Sequence, residues 1–274
     1  MPKRLTEVQI EQYRRDGFTG PVPALAPAEA RRCRDGLEAY ERAIGHALAF
    51  PEKSKPYLLF DWADALVHHP AVLDAVEDLI GPDILVYHTT MWIKEARSDA
   101  VAHWHQDDAY FNLDPPEHVT AWVAMSDASP EAGCMRMIPG SHRMGLLGHH
   151  DEPGPQSLVR RGQTVDGYGD ADGVPVPLKA GEMSLHNTRT LHASGPNRSG
   201  DRRLGLGISY IPAHVRPLTE PRSCALLVRG QDRYGHFHAE RRLAAPLSAE
   251  ARAAHKRAYD LYMTASRIPE GVGR

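Results

Sequence analysis

The run His103-Trp104-His105-Gln106-Asp107 and a later histidine, His192, are the residues of this sequence best suited to chemistry. Imidazole and carboxylate both bind divalent transition metals. On an extended strand, residues two apart point to the same side, so His105 and Asp107 could grip one ion together. A His-x-Asp triplet alone says little. Random placement of 16 His and 19 Asp among 274 residues gives about one, and the chain holds two, the other being His149/Asp151. Context separates them, because the second pair lies in an irregular stretch, whereas His105 ends a strand-like run. Two histidines and one carboxylate on one face of an iron leave the opposite positions open, an arrangement suited to Fe(II) enzymes that activate O₂. An organic co-substrate can fill two of those positions, and a distal carboxylate on it would need a cation with the fork geometry of arginine. Arg203 opens such a segment. One face of 203–210 reads Arg203, Gly205, Gly207, Ser209 and the other Leu204, Leu206, Ile208, Tyr210. Small residues beside an arginine predict space for a ligand, and the apolar face is expected to pack outward.

The elements that must position these groups fall into two regions. The first 82 residues read as helices: Thr6-x-x-Gln9 is a capping box, Pro27 suits a first helical position before 28–44, and 71–80 ends at Gly81-Pro82. From residue 83 the pattern changes to short β-branched and aromatic runs between turn residues, with strands expected at 84–93, 101–105, 119–125, 134–138, 182–186 and 204–211. Such a series indicates a sandwich or barrel rather than βαβ units. Residues 145–175 read as a long loop, of the kind that often serves as a lid, and 248–266 as an amphipathic helix. The expected organisation is one domain over 1–274: a helical N-terminal region (residues 1–82), a barrel (83–215) with the 145–175 lid loop, and a helical tail (240–274).

Composition narrows the function. With 42% hydrophobic and 24% charged residues and a net charge of −3, the chain is an ordinary globular one. It lacks the basic balance of a nucleic-acid or anionic-membrane binder and any apolar run long enough to span a bilayer. Three widely spaced cysteines suit reduced thiols, and with a polar N-terminus they predict a cytoplasmic protein; a monomer or homodimer is expected.

Trp104-His-Gln-Asp107, Val119-Thr-Ala-Trp122, Gly133-Cys-Met-Arg-Met-Ile-Pro-Gly-Ser-His142 and His192-x-Ser-x-Pro-Asn197 with Arg203 together resemble the phytanoyl-CoA dioxygenase family of Fe(II)/2-oxoglutarate-dependent oxygenases, over about residues 5–240. The resemblance implies a double-stranded β-helix, or jelly roll, with flanking helices. It implies iron ligands His105, Asp107 and His192, with Arg203 and Ser194 holding the distal carboxylate of 2-oxoglutarate and O₂ as the oxidant. Gln106, Trp122, Thr90 and Lys55 (or Lys53) fall where relatives touch the co-substrate. His186 also ends a strand-like run and competes with His192 as third ligand; Ser194 and Arg203, two and eleven residues on, select His192. Halogenating relatives replace the metal carboxylate by a small residue, so Asp107 favours hydroxylation; desaturation, cyclisation or epimerisation are alternatives on the same scaffold. The rivals from other classes are a cupin-like metalloprotein without 2-oxoglutarate and a sensor without turnover. Asp108, Tyr110, Arg136 and Asn187 are expected to contact substrate, and their mixed polarity suggests a small polar or anionic one.

Overall fold

The computed structural model describes residues 2–152, 154, 156–158, 163–242 and 245–265. Two antiparallel-rich sheets dominate it. The larger runs in the order Phe18–Pro23, Glu182–Asn187, Val119–Ala124, Arg203–Pro212, Ile84–Lys94, Cys224–Arg229, His238–Ala239. The smaller runs Ala102–His105, His192–Ser194, Met135–Met137, Val174–Val176. These two facing sheets form the expected jelly roll.

Strand alternation decides what each face of the larger sheet does. Leu204, Leu206, Ile208 and Tyr210, with Val119, Ala121, Val123, Met183 and Leu185, face the helices and share one core with Ala30, Cys33, Leu37, Trp62 and Val72. The opposite face meets the smaller sheet, where Phe18, Trp122 and Ala124 pack on Met135, Met137 and Val176. Helices Pro27–Ile44 and Pro70–Ile80 begin at prolines, as their sequences predict, and the Thr6 capping box is formed at the start of Glu7–Asp16. The C-terminal helix spans Ala249–Ala265.

Three boundaries differ from expectation. The first 82 residues are not wholly helical, because Phe18–Pro23 forms a strand on the edge of the larger sheet, paired with Glu182–Asn187. The sheet also continues past residue 215 through Cys224–Arg229, which pairs with Ile84–Lys94. Finally, 145–175 is not one open loop: it contains a two-residue-per-strand ribbon, His150–Asp151 with Gln163–Thr164, and the strand Val174–Val176. Val165, Leu147 and Tyr168 from this segment pack on Trp104, covering the outer side of the smaller sheet. All three cysteines are free and buried. Among the described residues no helix is long and apolar enough to cross a membrane.

Candidate active site

His105 and His192 face each other as register partners on adjacent strands, with ring centroids 4.2 Å apart. Each ring is fixed by its own backbone. The Nδ1 of His105 donates to the His103 carbonyl at 2.7 Å and that of His192 to the Thr190 carbonyl at 2.9 Å. A carbonyl can only accept, so both Nδ1 atoms carry the proton and both Nε2 lone pairs are free. Both Nε2 atoms lie 3.9 Å from Oδ1 of Asp107. The other oxygen, Oδ2, accepts from Thr120 Oγ1 at 2.8 Å and lies 3.4 Å from His186 Nε2. One carboxylate oxygen is thus held by protein while the other converges with two imidazoles.

Electrostatics reinforce this arrangement. Burial pushes His192 down to about 3, helped by neighbouring His105, and also lowers His105, so both are neutral donors at ordinary pH. Burial alone would raise the Asp107 carboxyl; the His186 interaction and the surrounding histidines outweigh it and hold the group well below the carboxylate range. His105, Asp107 and His192 are the one His/Cys/Asp/Glu group among the described residues with ligand atoms close enough to share an ion, all within 4.8 Å of one another. Two neutral imidazoles and one ionised carboxylate fit a divalent transition metal.

The geometry arises differently from the expected strand pairing. The strand ends at His105, and Asp107 has helical dihedrals (φ −58°, ψ −32°) at the start of the short helix Asp108–Phe111. The turn, rather than strand alternation, returns the carboxylate to the histidines. His186, the competing ligand, stands instead against the far oxygen of Asp107.

A small cavity of about 50 Å³, partly open to solvent, adjoins the triad. Its lining includes Thr120, Trp122, His186, Ser194 and Arg203, and on its apolar side Trp92, Ala102, Met135, Leu158 and Ala193. Arg203 is 2% exposed and has no acidic partner among the described residues. Its Nη1 donates to the Gly133 carbonyl at 3.0 Å, its Nε has no hydrogen-bond partner, and its guanidinium carbon lies 5.2 Å from the centre of the Trp122 ring. Burial lowers it to about 10, yet it remains a cation. A buried guanidinium with unused donors beside a cavity fits a carboxylate ligand.

The glycine face beside Arg203 is not empty as the sequence suggests. A Cβ at Gly205 would fall 2.1 Å from the Trp122 ring, and one at Gly207 2.8 Å from Trp92 Nε1. The glycines make room for two indoles, which then wall the cavity.

Several expected contacts lie elsewhere. Gln106 is fully buried and points away: its Nε2 donates to the Gly145 and Arg189 carbonyls at 2.9 and 2.8 Å, and its Oε1 accepts from Leu147 N at 2.8 Å. Its backbone N–H donates to His149 Nε2 at 3.0 Å, which gives that histidine a role in holding the loop. Lys55 is bound to Glu240 at 2.7 Å, with Tyr57, the Tyr87 carbonyl and the Cys224 carbonyl completing its shell. Thr90 shares a hydrogen bond with His88 and does not line the cavity. Neither do the expected substrate contacts. Asp108 pairs with Arg189 at 2.9 Å; Arg136 donates to the Asp170 and Gly173 carbonyls; Asn187 accepts from Arg189 N and bonds Tyr13; Tyr110 stands edge-on to His105 with centroids 6.1 Å apart. On the strand Met135–Met137, Met135 lines the cavity and the side chain of Arg136 points the other way, as alternation requires. The residues sequence reasoning missed are Thr120, His186 in its supporting position, and Leu158. Thr120 had a legible signal, being two residues before Trp122 on one strand face.

The chain is similar to known non-haem oxygenases over most of its length. Residues 13–205 match the family model described as phytanoyl-CoA dioxygenase (PhyH). A probable alpha-ketoglutarate-dependent hypophosphite dioxygenase of Stutzerimonas stutzeri is 31% identical over 165 residues, covering 60% of this chain and 57% of that protein. L-proline trans-4-hydroxylase of Streptomyces griseoviridis is 27% identical over 243 residues, covering 75% and 88%. Among solved structures, the non-heme monooxygenase ThoJ in its apo form superposes with a TM-score of 0.83 at 36% identity, covering 94% of this chain and 96% of that one. With the donor triad and the buried arginine in place, the chain belongs to the phytanoyl-CoA dioxygenase family of iron(II)- and 2-oxoglutarate-dependent oxygenases.

Proposed function

We propose that this protein is a hydroxylase that couples oxidation of 2-oxoglutarate to succinate and CO₂ with insertion of one oxygen atom of O₂ into a C–H bond of a small molecule. The observation that carries the reading is the placement of a buried guanidinium, without an acidic partner among the described residues, on the same cavity as the His105/Asp107/His192 triad. Iron(II), when bound, would supply the redox chemistry that activates O₂. The protein's own role is positional. His105 and His192 present Nε2, Asp107 presents Oδ1, and Thr120 and His186 restrain Oδ2 so that one oxygen is offered. Arg203 and Ser194 would receive the distal carboxylate of 2-oxoglutarate, with Trp122 packed against the guanidinium. Trp92, Ala102, Met135 and Leu158 make an apolar wall that excludes water and suits an apolar reacting end on the substrate. This replaces the polar or anionic lining expected from Asp108, Tyr110, Arg136 and Asn187. Retention of Asp107 as third ligand leaves no protein-vacated position for halide and favours hydroxylation.

The test is anaerobic addition of Fe(II) and then 2-oxoglutarate, reading the weak visible charge-transfer band, in wild type, Arg203→Ala and Asp107→Ala. A band that weakens in both variants, followed by substrate-dependent succinate release and a product heavier by one oxygen, supports the proposal. Tight binding of another metal with no band overturns it. Succinate release with no oxygen gained by the product reassigns the outcome to desaturation, cyclisation or epimerisation.

A further inference from the structure

A second basic side chain lies beside Arg203. Lys94 is its register partner on the neighbouring strand, is fully buried, and has no acidic partner among the described residues. Its Nζ donates to Ser194 Oγ at 2.8 Å and contacts the Gly195 carbonyl, while the Gly133 carbonyl, 3.4 Å away, also accepts from Arg203. The site is built for this sharing. Gly133 has φ +69°, and a Cβ there would stand 2.4 Å from the Gly195 oxygen, so only glycine lets the two turns close around the ammonium. Because Lys94 donates to the Ser194 oxygen, the hydroxyl proton of Ser194 is free to point elsewhere, and Ser194 lines the cavity.

We propose that Lys94 is a positioning residue for the anionic end of the cavity, orienting the Ser194 hydroxyl as a donor to a ligand carboxylate and adding its own charge behind it. The inference rests on the 2-oxoglutarate reading above and extends it to a residue outside the cavity lining. The charge environment agrees. Lys94 is lowered to about 6, by burial first and by Arg203 second. The titratable groups facing it are Arg203 from the adjoining strand and the Cys134 thiol, itself raised by burial, from the turn after Gly133; Ser194 and the carbonyls of Gly133 and Gly195 complete its surroundings. Glu95 engages Arg202 instead. A carboxylate arriving beside Arg203 raises the lysine, so binding takes up a proton and tightens as pH falls towards about 6, levelling below that.

The experiment uses the full chain with metal already bound, which keeps the triad out of the proton count. 2-Oxoglutarate is titrated anaerobically into wild type and Lys94→Met, alongside 2-oxopentanoate, which lacks the distal carboxylate. We expect 2-oxoglutarate to bind Lys94→Met about ten- to a hundredfold more weakly, with 2-oxopentanoate and metal affinity unchanged. Equal loss for both acids, or no loss, overturns the proposal while leaving the 2-oxoglutarate reading intact; no 2-oxoglutarate binding by wild type removes that reading itself. Should Lys94→Met fail to fold, wild-type calorimetry in two buffers of different ionisation enthalpy decides the matter. Net proton uptake at pH 7.5 for 2-oxoglutarate and not for 2-oxopentanoate supports it, and equal uptake or none overturns it.

Discussion

Substituting Gly205 by alanine isolates the indole wall from the metal centre. The added Cβ would lie 2.1, 2.3 and 2.5 Å from Cζ2, Cη2 and Cε2 of Trp122, where ordinary contact begins near 3.4 Å. The ring must therefore retreat by about 1.3 Å, in a site where it is only 4% exposed and stands against the Arg203 guanidinium. Overpacking of this kind costs about 1–3 kcal/mol, a fall in Tm of roughly 2–10 °C for a chain of this size. Because the displaced ring supports the arginine, 2-oxoglutarate affinity should fall about tenfold or more, while metal affinity holds. Two comparisons sharpen the test. Gly207→Ala meets Trp92, which is only partly buried and can yield, so its effect should be smaller. Adding Trp122→Phe to Gly205→Ala withdraws the indole edge that clashes, and should recover about 1 kcal/mol or more relative to the sum of the single changes. Thermal melts with anaerobic 2-oxoglutarate titration supply the readout. A Gly205→Ala protein that melts within 1 °C of wild type and binds 2-oxoglutarate normally would refute the packing argument.

Other outcomes follow from the same geometry. Arg203→Ala should weaken 2-oxoglutarate about a hundredfold or more, Arg203→Lys less so, with metal affinity preserved in both; equilibrium titration distinguishes this from general damage. Thr120→Val keeps the side-chain shape but removes the hydroxyl on Asp107 Oδ2, and should lower metal affinity about 10- to 100-fold in a chelator competition. Gln106→Leu should leave the Gly145 and Arg189 carbonyls and Leu147 N–H without partners, lowering stability by about 1–3 kcal/mol, with amide exchange at 145–149 rising more than elsewhere.

The ligand triad and Arg203 were legible because short-range spacing constrains them: a histidine at a strand end, a carboxylate two residues on, and an arginine heading a strand with two distinct faces. What escaped was whatever depended on partners distant in sequence. Phe18–Pro23 holds a glycine and two prolines, which argue against a strand unless it lies on an edge, and the sequence does not announce edges. Lys94 lies just past the expected 84–93 strand, and its burial depends on turns about 40 and 100 residues further along. Gln106 is engaged away from the cavity, and the pattern contained a sign of it: a turn that brings 105 and 107 together directs the residue between them elsewhere. The expected substrate contacts lie off the cavity, and for Asp108 and Arg136 the cause is a distant partner, Arg189 and the 170–173 turn, that neighbouring sequence does not reveal.

The Gln106 clamp has an evolutionary consequence. Its amide grips three main-chain groups, in segments that carry Gly145, Leu147 and Arg189, and reads none of their side chains. An attachment blind to side-chain identity lets the sequence beyond it drift, or be exchanged between relatives, without loosening the strand that carries His105. Leu158, the cavity residue from that region, can thus change under selection for new substrates while the metal ligands stay in place. Directed diversification of this enzyme should therefore begin at Leu158 and leave Gln106 untouched.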